Sequence, residues 1–143
     1  MQGKPIQAVI PGRTVRLATE SDLESCNAIC KAIHGHDRNG ETRDSIKQGI
    51  AKVVLHAGKI TGYTSGLTYF NHSVGLTSDD LKSLIASATD EHYGGPGILI
   101  PSRDTQTLRW CLDNGLRIAQ QLTLMTVGMY NEPAGAYMPS ILY

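Results

Sequence analysis

A chain of 143 residues and 15.5 kDa has the length of one ordinary domain and buries roughly two-thirds of its unfolded surface, leaving no room for a second core. Its 41% hydrophobic and 18% charged residues exclude a disordered or low-complexity protein. Thirteen basic residues balance thirteen acidic ones, so the positive excess that accompanies binding to a phosphate backbone is missing. The expectation is one domain over residues 1–143, irregular over 1–13, with no nucleic-acid and no membrane partner. The first twenty residues hold no apolar run long enough for a signal-peptide core, and three cysteines are too few, and odd in number, for a disulfide framework. Both observations lead to an expected cytoplasmic location.

Residues 14–17 (T-V-R-L) alternate polar and apolar and predict a short strand. Thr19 and Asp22 have capping-box spacing, and Leu23, Cys26, Ile29, Cys30 and Ile33 recur at helical spacing, which predicts a helix over about residues 21–33. The H-G-H-D-R-N-G loop follows, then a weaker helix over 41–48 closed by Gly49. Residues 51–56 and 59–70 are rich in Val, Ile, Thr and Tyr and are joined by Ala57-Gly58, predicting an antiparallel pair.

Thr77 or Ser78 is placed to cap a third helix carrying Leu81, Leu84, Ile85 and Ala88, with Asp79 and Asp80 favoured by the helix dipole in its first turn. The wholly apolar G-I-L-I run at 97–100 predicts a central strand. Asp104 is placed to cap a fourth helix with Leu108, Cys111 and Leu112, stopped by Gly115. Residues 117–130 read as extended and β-prone, and 136–143 as a last strand.

This order of elements resembles the GCN5-related N-acetyltransferase (GNAT) superfamily. The best local match is I-L-I-P-S-R-D-T-Q-T-L-R-W-C-L-D-N-G-L-R. There the family's spacing of Asn-x-x-Ala, Tyr and Gly-Phe falls on Asp104, Thr107, Cys111, Gly115 and Leu116, although four of the five residue types differ. The chain from Thr14 onward, with its H-G-H-D-R loop and N-E-P-A-G-A-Y-M-P-S-I-L-Y tail, resembles in particular the second half of tandem two-domain GNAT proteins. The resemblance implies an α/β, layered α+β fold of the acyl-CoA N-acyltransferase type, with a mixed central sheet flanked by about four helices.

It also implies an acetyl-CoA site where two parallel strands splay apart, the pantetheine arm pairing like an extra strand and the diphosphate resting on amides at the next helix start. Asn71, Val74, Gly75 and Asp104 fall at these cofactor-binding positions. The segment N-H-S-V-G-L-T-S-D-D departs from the family loop, having one glycine and two acids that repel a diphosphate. With only 16 residues from Thr61 to Leu76, the strands before the third helix must be short, or one of them is lost.

Cys111 takes the position of the family's proton-donating Tyr, and His72 lies where a base would approach the acceptor amine. The competing reading of Cys111 is a small core hydrophobe, and of His72 a loop histidine. His34, His36, Asp37 and Arg38 border the acceptor pocket implied by the resemblance; they either bind a polar or carboxylate-bearing ligand or hold the two helices by capping and ion pairing. Cys26, Cys30 and His34 recur every fourth residue, but the outer two lie about 12 Å apart along a helix, so no shared metal is expected.

Two functions stay open. One is a GNAT-like ligand- or partner-binding module with weak or no transfer activity; the other is an acetyl-CoA-dependent N-acetyltransferase acting on a small amine or amino-acid-like acceptor. If the chain is a counterpart of a half that packs on a sister domain, its apolar tail needs covering, and a homodimer is expected.

Overall fold

The alternating segment at the start of the chain forms a strand, β1 (Arg13–Leu17), in a computed structural model that describes residues 1–89 and 97–141. A single 3-10 turn at Glu20–Asp22 then leads into helix α1 (Leu23–His34). The Thr19/Asp22 pairing is made: the Thr19 amide donates to Asp22 Oδ2 at 2.8 Å. The same carboxylate takes both arms of the Arg16 guanidinium, at 2.7 and 2.8 Å, which holds it well below the usual carboxylate range. Helix α2 (Asn39–Lys47) starts two residues earlier than the sequence predicts.

Strands β2 (Lys52–His56) and β3 (Lys59–Thr64) form the expected antiparallel pair. Ala57 and Gly58 sit at φ 49° and 75°, the left-handed geometry that a two-residue hairpin turn requires. Then come β4 (Ser73–Gly75), α3 (Ser78–Ala86), α4 (Thr105–Asp113) and β5 (Ala136–Met138). The short-strand alternative for residues 61–76 is therefore the one adopted. Residues 142 and 143, at the end of the last expected strand, lie outside the described residues.

The five strands lie in the order β1-β2-β3-β4-β5, each antiparallel to its neighbour. Because side chains alternate across a sheet, the cross-strand row Val53, Tyr63, Val74 and Tyr137 faces one side, where Cys26, Ile29, Cys30 and Ile33 of α1 cover it. On the opposite side the row Val54, Gly62, Gly75 and Ala136 is nearly bare, and α3 lies on it. A Cβ at Gly75 would sit 2.9 Å from the Asp80 Cβ, so the missing side chain is what lets the start of α3 approach the strand. Leu81 and Ile85 of α3 join Ile98, Cys111 of α4, Ala136 and Met138 in the second apolar cluster. A sheet between α1 on one face and α3 with α4 on the other is the layered α+β architecture expected.

Three expectations are corrected. The sheet is antiparallel rather than mixed, because residues 97–100 form no strand: Gly97 has φ 81°, the Ile98 amide donates to the Met1 carbonyl at 2.9 Å, and Ile98 is buried in the core. The edge of β4 is taken by β5. Among the described residues, 117–130 also join no strand beyond a single Gln2–Arg117 bridge.

Candidate functional site

Two histidines far apart in sequence meet in the interior. His34 ends α1, His72 directly precedes β4, and their Nε2 atoms lie 3.1 Å apart with both residues buried. One ring must donate and the other accept, and when both are neutral they take opposite tautomers. Burial, reinforced by Arg38 and then His36, pushes His34 down to about 4; burial, then Arg38, then His34, hold His72 well below the ordinary range. Tyr137 meets His34 edge-on at 5.3 Å between centroids, Tyr63 meets His72 at 5.9 Å, and His36 tilts over His34 at 5.8 Å. The Nδ1 atoms of His34 and His72 are buried without a protein partner. A buried pair of this kind accepts a proton reluctantly, so it is poorly suited to act as a base near neutrality.

A second strand of contacts fixes His72 from behind. The His72 amide donates to Ser65 Oγ at 3.0 Å, Ser65 Oγ donates to Glu41 at 2.6 Å, and Glu41 pairs with Arg38 at 2.9 Å. This Arg38–Glu41 pair lies within the first turn of α2. His36 and Asp37 are exposed beside the pair, and Asp37 accepts from the Asn39 amide at 3.3 Å. The sequence reading missed Glu41, Ser65, Tyr63 and Tyr137; they lie on α2, in the loop after β3, on β3 and on β5, and only the tertiary fold brings them to the histidines.

The positions implied for cofactor binding lie elsewhere, and they are occupied by contacts within the chain. Val74 is wholly buried and pairs with Tyr63 on one side and Tyr137 on the other. Asn71 closes the 65–71 loop, its side chain donating to the Ser65 carbonyl at 3.3 Å and accepting from Thr68 at 2.5 Å. Asp104 caps α4 by accepting from the Thr107 amide at 3.1 Å, and also from Ser78 Oγ at 3.0 Å. Cys111 is wholly buried in the apolar cluster, and burial pushes its thiol up to about 12, so its proton reaches no surface-bound group.

At the heads of α3 and α4 a cleft of about 580 Å³ opens, lined by Thr77, Ser78, Arg103, Asp104, Gln106 and the 133–136 segment among others. None of His34, His36, Asp37, Arg38 or His72 lines it. Arg103 is committed within its wall, to the Pro133 carbonyl at 2.6 Å and to Glu132 at 2.7 Å. Among the described residues no group of three or more His, Cys, Asp or Glu is placed to hold a metal ion, and no helix is long and apolar enough to cross a membrane.

No protein-family model matches the chain, and no curated protein matches it. A search of solved structures finds similarity to a GNAT-family acetyltransferase from Bacillus cereus ATCC 10987, 28% identical over 36% of this chain and 37% of that one, with a TM-score of 0.35. The match thus spans little more than a third of either protein.

Proposed function

We propose that this chain is a GNAT-like module that binds a ligand or protein partner and has weak or no acyltransferase activity. The observation that carries the reading is the pairing of β4 with β5: Ser73, Val74 and Gly75 are registered against Met138, Tyr137 and Ala136 of the same chain. In the mode the family resemblance implies, that edge receives the pantetheine arm. Asp79 and Asp80 at the head of α3 count against a diphosphate there, and Asp80 already accepts from Arg13 at 3.2 Å. The residues at these positions do not fit acetyl-CoA bound in the usual way. The exposed His36 and Asp37, beside half-buried Arg38, offer a polar face to a ligand instead.

A second reading, acetyl-CoA-dependent N-acetylation of a small amine, draws support from the cleft at the heads of α3 and α4, a volume suited to a small-molecule ligand. One measurement separates the two: the melting temperature with and without acetyl-CoA, with calorimetric titration alongside. A ligand at 100 times its Kd stabilises by about 2.7 kcal/mol, a shift of several degrees. The module reading expects no shift and no heat at millimolar acetyl-CoA. A shift with saturable heat overturns it in favour of the transferase.

A further inference from the structure

Within the tail expected to leave apolar surface uncovered, Ala136, Tyr137 and Met138 are buried in β5, while Ile141 is exposed. The larger uncovered surface lies just before β5. Leu124, Met125, Val127 and Met129 are between 61% and 106% exposed, and Leu122 and Tyr130 also face solvent. Among the described residues, no backbone hydrogen bond is made anywhere between 118 and 132. In extended geometry Leu122, Leu124 and Tyr130 fall on one face, and Met125, Val127 and Met129 on the other. A segment apolar on both faces, with unpaired amides along both edges, has the pattern of a strand inside a sheet rather than of a solvated loop.

We propose that residues 118–131 are a self-association strand, along which two copies of the chain pair antiparallel about a two-fold axis. Charge favours a second copy as the occupant. From Ile118 to Asn131 the arm carries no charged residue, so no like charges oppose each other at any register. Its flanks are Arg117 at one end and Glu132 at the other, and an antiparallel pair brings each end beside the unlike end of its partner. A single copy leaves that patch in water, where soluble monomers seldom carry one.

Light scattering over a wide concentration range tests this, with Leu124→Asp/Val127→Asp as the disrupting variant and circular dichroism confirming its fold. The wild-type chain is expected at twice 15.5 kDa and the variant at 15.5 kDa. A cysteine readout stands beside it. The native cysteines are buried, so Met125→Cys supplies an exposed thiol that oxidises to a covalent dimer at least tenfold faster than Leu17→Cys on β1. A wild-type monomer at all concentrations overturns the proposal, as does a dimer indifferent to the double variant, or equal cross-linking rates at the two sites.

Discussion

The Nε2 atoms of His34 and His72 lie 3.1 Å apart in the interior and bind the end of α1 to the entry of β4, so removing either ring, or charging both, breaks that junction. Substituting His72→Phe leaves His34 Nε2 buried without a partner. The expected cost at pH 7.5 is about 1–3 kcal/mol, read from denaturant unfolding.

The same pair makes stability depend on pH. His34 titrates at about 4 when folded against roughly 6.5 when unfolded, so the unfolded chain binds more protons between those values. Stability is complete above about pH 6.5 and is lost as pH falls toward the folded value, with His72 adding in the same direction. Melting temperatures from pH 7.5 to 4 should fall across this window, and His72→Phe should flatten the slope. A slope unchanged in that variant would mean that other groups set the acid limb.

Asp80 ties three elements of the fold together. Its buried carboxylate accepts from Arg13 at 3.2 Å, Thr61 at 2.8 Å, and the Thr77 amide and hydroxyl at 3.0 and 2.7 Å, tying β1 and β3 to the head of α3. Asp80→Ala should cost about 3 kcal/mol and lower the melting temperature by roughly ten degrees, because Arg13 loses its partner and α3 its cap. Asp80→Asn, which keeps an acceptor oxygen, should cost less.

Gly62 faces the α3 side of the sheet between Val54 and Gly75. A Cβ there would stand 2.6 Å from the Val74 carbonyl oxygen, a backbone atom that can move only by parting β3 from β4. Gly62→Ala should therefore destabilise by about 2 kcal/mol, measured as a lowered denaturation midpoint at unchanged m-value.

Thiol reactivity tests the interior directly. Cys26, Cys30 and Cys111 are wholly buried, and burial is the first cause of every upward shift, to about 12 for Cys26 and Cys111. A disulfide reagent at pH 8 should titrate no fast thiol in the native protein and three after unfolding. If the reading of Cys111 as a core side chain is right, Cys111→Ala also leaves any measured turnover unchanged.

Local signals were the part of this protein written plainly in its sequence. The Thr19/Asp22 spacing makes its capping box, Thr77 of the two candidates caps α3, Ala57-Gly58 turns the hairpin, and Cys26, Ile29, Cys30 and Ile33 define the buried stripe of α1, because caps, turns and helical faces are set within a few residues. Which strand lies beside β4 is a different kind of question. Residues 97–100 and 136–138 are both short apolar runs, and periodicity cannot choose between them; the choice is made by which run completes the row Val53, Tyr63, Val74, Tyr137 beneath α1. Likewise, His34 and His72 were each visible as single candidates, but their contact spans 38 residues of chain and exists only once α1 is laid across the sheet. The sequence by itself determined the helices, the hairpin and their buried faces, whereas only the tertiary structure decided which other apolar runs become strands, the strand order, the histidine pair and the uncovered arm, since those rest on contacts between distant residues.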